Sequence, residues 1–115
     1  MGLIGLCMCK KILYYIIMSN YKIKDFQERR AKKLNVEIKS STRKNKKIDV
    51  FKQGKKIASI GGVYPDGRFY GDYATYYSTK GKGFADTKRR LYRLRHVGEE
   101  KVKGSAGFYA WFILW

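Results

Sequence analysis

The residues of this chain that could do chemistry are cations and aromatic rings. Arg43, Lys44, Lys46 and Lys47 stand close together, Lys55 and Lys56 follow, and Arg89, Arg90 and Arg93 share one segment. Lysine and arginine neutralise phosphates and release counterions, while aromatic rings stack on unpaired bases. The stretch YPDGRFYGDYATYY, residues 64–77, holds Tyr64, Phe69, Tyr70, Tyr73, Tyr76 and Tyr77, and Trp111 and Trp115 lie near the end. Each basic cluster also reads as a solvated surface that keeps the domain soluble. The tyrosine stretch reads as a stacking platform or, in preference, as core or protein interface, where tyrosine gives contact area at little entropic cost.

Catalysis has no comparable signal. His96 is the only histidine, and no second metal ligand stands at a useful spacing from it. At the end of a helix it reads as a cation interacting with the helix dipole. The nine acids are scattered, and neither a P-loop nor G-x-G-x-x-G occurs. Cys7 and Cys9 form no C-x-x-C and read as reduced apolar residues in a reducing compartment. The expectation is a protein that is not an enzyme, with no cofactor, no metal and no small-molecule substrate.

The charge points to partners. Lys and Arg number 26 against nine acids in 115 residues, a net of +17. Such an excess repels itself and draws the chain to a polyanion, an acidic protein surface or an anionic membrane. It is uneven: residues 20–56 carry +10 and residues 57–115 carry +5. The length fits one domain with a small core, and an apolar fraction of 44% is ordinary for a globular protein.

The chain divides into an apolar N-terminal anchoring segment, 1–20, and a single small basic domain, 21–115. Met1–Met18 reads MGLIGLCMCKKILYYIIM, with Lys10 and Lys11 at its centre. Two central lysines oppose a simple membrane span, and a signal peptide puts its charge before the apolar run. Leu6 breaks the myristoylation pattern. The segment packs on the core or a partner, docks at a membrane surface, or precedes a working start at Met18.

The domain itself reads as a small three-stranded antiparallel meander with short helices, an α+β fold. Asp25 and Glu28 have the spacing of a capping box and open a short cationic helix through Leu34. Val36–Lys39 alternates as a half-buried strand does. Ile48–Lys52 and Lys55–Ile60 flank Gln53-Gly54, a two-residue hairpin turn. Pro65-Asp66-Gly67 is a tight turn, and Asp72 caps a helix through Thr79. In the helix Phe84–His96, the residues Phe84, Leu91 and Leu94 form an apolar stripe flanked by Ala85 and Tyr92. Arg89, Arg90 and Arg93 are expected on the opposite face, with Lys88 and Arg95 beside the stripe. Ser105 caps a final apolar helix, Ala106–Leu114, which must be buried in this core or against a partner.

Three stretches carry a resemblance. They are STRKNKKIDVFKQGKKIASIGG from Ser41, then GDYATYYSTKGKGFADTKRRLYRLRH, then KVKGSAGFYAWFILW. In that order they resemble small basic proteins encoded by large nucleocytoplasmic DNA viruses of the chlorella-virus and mimivirus-like groups. The likeness covers about residues 21–115 and carries over no catalytic residue. Val63–Gly71 is longer here than the corresponding link, and Trp111-Phe112 stands where relatives tend to have a charged pair. The apolar segment 1–20 lies outside the resemblance.

The resemblance implies a non-enzymatic minor capsid protein of a large DNA virus. It would sit in the virion, and in the cytoplasm of the infected host cell during assembly. Its partners would be capsid proteins of the same particle, held by aromatic and apolar ends. Its basic surface would face acidic capsid proteins, packaged DNA or the inner membrane. The alternative is a DNA- or RNA-binding accessory protein.

Overall fold

Gln53 and Gly54 both take positive φ, 51° and 78°, as a two-residue turn matched to strand twist requires. They join β2 (Ile48–Lys52) to β3 (Lys55–Ile60). β1 (Glu37–Ser40) pairs antiparallel with the other edge of β2, so the sheet runs β1-β2-β3. Ile38 faces Val50, Val50 faces Ala58, and Ile48 faces Ile60. That register gathers the apolar alternates on one face. With its helices the chain is α+β, a three-stranded meander packed with short helices, in a computed structural model that describes residues 21–115. The expected anchoring segment, 1–20, lies outside the described residues.

Around the sheet lie α1 (Asp25–Lys33), α2 (Tyr73–Lys80), α3 (Lys82–Arg95) and α4 (Ala106–Tyr109), which continues as a π-helix over Ala110–Leu114. Asp72 caps α2 by accepting from Thr75 N at 2.9 Å, and Ser105 caps α4 by accepting from Phe108 N at 3.1 Å. The start of α1 corrects the expected capping box. Its N-cap is Lys24, and Gln27 Oε1 accepts from Lys24 N at 2.9 Å. Gln27 takes that place because its amide is held in the interior, donating through Nε2 to Tyr21 Oη at 2.6 Å.

The final helix is buried in the chain's own core. Tyr109, Ile113, Leu114 and Trp115 join Ile38, Ile48, Val50 and Ile60. Alpha helix α1 covers the π-helical turn, and α4 lies on β3. Tyr73, Trp111 and Trp115, expected at an interface, keep only 7%, 9% and 8% of their surface exposed. They are internal because rings this large bury more apolar area than the small sheet can cover alone.

Helix α3 is turned from its expected orientation. Phe84, Leu91 and Leu94 are exposed, Ala85 is fully buried, and Arg89 and Arg93 are half-buried. The arginines face inward because aromatic surfaces receive them. The Arg89 guanidinium lies 3.5 Å from the Tyr73 ring centre, and that of Arg93 lies 5.1 Å from Trp111. Arg90 alone of the three is exposed.

Lys47 is a further correction, because it belongs to no basic surface. It is 2% exposed, and its Nζ donates to Asp72 Oδ2 at 2.9 Å. Its stem passes Gly61, where an added Cβ would come within 2.7 Å of it. Asp72 also accepts from Tyr21 Oη and from Thr75 N. Burial opposes the Asp72 charge, but Lys47 and these hydrogen bonds outweigh it and hold its pKa below the usual carboxylate value. For Lys47 burial wins, and its pKa falls, since it has one charged partner where Asp72 has three donors. Asp49 is the second buried carboxylate. Burial again opposes its charge, and Ser41, Ser59, the Thr42 N–H and Lys56 together lower its pKa.

Both carboxylates therefore titrate lower folded than unfolded. Their contribution is complete above the unfolded value of about 4 and is lost as pH falls through the folded pKa values. The urea midpoint of the protein is expected to drop steeply below about pH 4. Asp72→Asn should cost roughly 3–5 kcal/mol at pH 7, because it strands a buried ammonium. Pairing it with Lys47→Met should restore part of the loss, and denaturant melts of the single and double variants check both expectations.

Candidate functional site

A groove of about 640 Å³ opens where one end of the sheet meets the loop after β3, α3 and the C-terminal helix. Its upper edge is made by residues 63–70. Gly67 has φ 90°, Tyr64 N donates to Arg68 O at 2.7 Å, and Val63 pairs with Phe69 across the turn. Asp66 accepts from Arg68 N and Nε, which stiffens the tip. This small hairpin sets Tyr64 and Tyr70 side by side, both exposed, with ring centres 4.2 Å apart. The Tyr70 ring lies against Gly62, where a Cβ would stand 2.8 Å from it.

Tyr76 is pressed onto the backbone of Gly71 and meets Phe84 at 5.3 Å. Lys88 reaches over both rings, its Nζ 5.8 Å from Tyr76 and 5.4 Å from Phe84. The far wall is a column of three rings. Tyr92 stacks on Trp115 at 4.7 Å and on His96 at 4.2 Å, with interplanar angles of 12° and 21°. His96 Nδ1 is 3.0 Å from Glu99 Oε2, an ion pair when the imidazole is protonated. Burial, and then the Glu99 charge, push the Tyr92 hydroxyl up to about 12, so it stays a neutral donor at physiological pH.

The lining charges are mostly positive. Lys46, Lys88 and Arg95 border the groove, Lys47 is neutralised by Asp72, and Glu99 is the one acid among the described lining residues. Cations thus alternate with ring faces around one concave surface. Such a surface binds an anionic ligand that carries flat groups. Among the described residues no group of three His, Cys, Asp or Glu could hold a metal ion.

The structure gathers some expected residues here and disperses others. Lys46, Lys47, Tyr64, Tyr70, Tyr76 and Trp115 line the groove. Arg43 and Lys44 are exposed in the same β1–β2 turn as Lys46. Lys55 and Lys56 begin β3 at the other end of the hairpin, and Lys56 sits 3.7 Å from Asp49. Phe69 packs edge-on against Tyr21 at 5.4 Å. Tyr77 lines a different groove with Tyr73 and Arg89. Lys88, Tyr92, Arg95 and His96 were not among the expected site residues. Their spacing of 88, 92, 95 and 96 follows one side of a helix, and counting rings as partners for cations would have found them.

The chain matches no known family model, no curated protein and no solved structure.

Gly71 gives the groove a test of its own. A Cβ there would lie 2.2 Å from Tyr76 Cζ, so Gly71→Ala must displace the ring. Overpacking of this kind costs about 1–3 kcal/mol. Urea unfolding should show that loss, and NMR should show shifted Tyr76 and Phe84 ring signals; unchanged ring signals would contradict the packing.

Proposed function

We propose that this chain is a non-enzymatic binding protein whose groove takes single-stranded nucleic acid. One observation carries the reading: Lys46, Lys88 and Arg95 converge from two distant parts of the sequence on a surface built of tyrosine rings. Backbone phosphates would pair with the three cations. Bases would lie on Tyr64 and Tyr70, whose rings are exposed. The exposed cations Arg43, Lys44 and Arg90 widen the attractive field without shaping the groove. An extended strand fits such a site better than a duplex, because stacking needs unpaired bases.

A place in a virus particle is the second reading, favoured by the exposed Leu94, Val97 and Val102 at and after the end of α3. There the chain would act as a minor capsid protein that bridges neighbouring capsid proteins through this apolar surface. Its groove would then face the packaged DNA, with assembly in the cytoplasm of the infected cell. Trp111 and Trp115 take no part in the bridging, since both are internal. Mass spectrometry of purified particles decides this reading, and absence from the virion would end it.

For the groove, fluorescence anisotropy with oligothymidylate across a salt series is the direct test. Three phosphate contacts give a log–log slope of about −2 for a single strand. The combined change Lys46→Ala, Lys88→Ala and Arg95→Ala should remove most of that slope. Tyr64→Ala with Tyr70→Ala should weaken binding about tenfold or more, as expected for lost base stacking. No binding at low salt, or equal affinity for duplex DNA with no effect of the tyrosines, would refute the proposal.

A further inference from the structure

On the other flank of α3 lie three arginines that form no salt bridge among the described residues. Arg89 and Arg93 are one helical turn apart, and Arg30 of α1 lies near enough for its charge and theirs to oppose one another. Each guanidinium lies on an aromatic ring: Arg30 at 4.9 Å from Phe26, Arg89 at 3.5 Å from Tyr73, and Arg93 at 5.1 Å from Trp111. Phe26 and Tyr73 themselves touch, with centres 5.3 Å apart, so these two rings make one supporting surface for Arg30 and Arg89. Arg89 Nε and Arg93 Nε are buried and have no hydrogen-bond acceptor among the described residues, while Arg93 Nη2 reaches the Trp115 carbonyl at 3.3 Å.

Three like charges held this close oppose one another. Burial, and then Arg89, lower the pKa of Arg30, and burial with Arg89 and Arg30 lowers that of Arg93. Arg30 and Arg93 nonetheless stay charged at neutral pH, since arginine does not deprotonate in proteins. The nearby acids attract these arginines without bonding to them: Asp86 lies near Arg89, Glu100 near Arg93, and Asp25 lines a groove with Arg89. Asp86 accepts from Tyr73 Oη and Lys82 Nζ, and Glu100 accepts from Gly98 N. Repulsion costs stability, and an oxyanion that accepts from several guanidiniums at once relieves it.

We propose that Arg30, Arg89 and Arg93 form a binding site for a phosphate group. Arginine forks match phosphate oxygens in pairs, and the aromatic surface fixes the forks before the ligand arrives. The phosphate is supplied either as the free ion or as a phosphomonoester. The site is separate from the groove and does not depend on its reading.

Thermal unfolding of the full chain in sodium phosphate, against sodium chloride of equal ionic strength, tests the site. The expected result is a saturable rise in Tm, about 5 °C when phosphate stands tenfold above its dissociation constant. Arg30→Gln should remove most of that rise, whereas Arg90→Gln, which removes an exposed charge, should keep it. In chloride alone Arg30→Gln should change Tm little, because losing one of three repelling charges offsets losing the contact with Phe26. Adenosine monophosphate and adenosine form a second arm. A rise with the monophosphate equal to that with inorganic phosphate marks the free ion as sufficient, and a larger one marks a phosphomonoester. A rise that does not saturate, one lost equally in both variants, or an Arg30→Gln loss that is the same in both buffers would overturn the proposal.

Discussion

The buried carboxylate of Asp72 is the point on which this small fold turns. It accepts from Tyr21 Oη, from Lys47 Nζ and from Thr75 N, groups that belong to the entry of the domain, the start of β2 and the first turn of α2. Tyr21 extends the network to Gln27 and so to α1. A charge this deep is tolerable only because every side of it is answered. The same arrangement sets out the groove. Lys47 fixes the end of the turn that carries Lys46, its stem requires the bare backbone of Gly61, and the cap on α2 directs Tyr76 toward Gly71.

The tyrosine content and the charge have one explanation between them. With nine acids for 26 cations, most lysines and arginines can have no carboxylate. Rings take the place of acids. Arg30 lies on Phe26, Lys39 on Phe51, Lys88 on Tyr76 and Phe84, Arg89 on Tyr73, and Arg93 on Trp111. Each contact contributes roughly 0.5–1 kcal/mol when exposed. Unlike a salt bridge, each leaves the positive charge uncancelled. The chain therefore keeps an attractive field for anions while its cations are held in fixed places.

What was legible in the residues was local. The turn at Gln53-Gly54, the three strands, and the caps at Asp72 and Ser105 rest on signals a few residues long, and all are present in the fold. What was illegible depended on distant partners. Lys47 lies in a basic run, and nothing near it announces an acid 25 residues away. The face of α3 was misjudged because a hydrophobicity pattern counts arginine as polar, whereas Arg89 and Arg93 lie on rings and turn inward. The widened π-turn at Ala110–Leu114 spreads bulky side chains to several sides, which an ideal helical spacing does not foresee. The candidate groove was half visible: its tyrosines and Lys46 stood out, but Lys88 acquired meaning only through the rings beside it, and Arg95 only through its place on the groove.

The central claim is that cations and ring faces act together in one groove on a single strand. NMR titration of the full chain with a short oligothymidylate tests it most directly. The account predicts shifts concentrated at Tyr64, Tyr70, Tyr76, Lys88, Tyr92 and Arg95, with upfield ring-stacked signals from the bases. Shifts spread over Lys44, Lys55 and Arg90 with the groove unperturbed would contradict it, and would reduce the positive charge to a diffuse attraction.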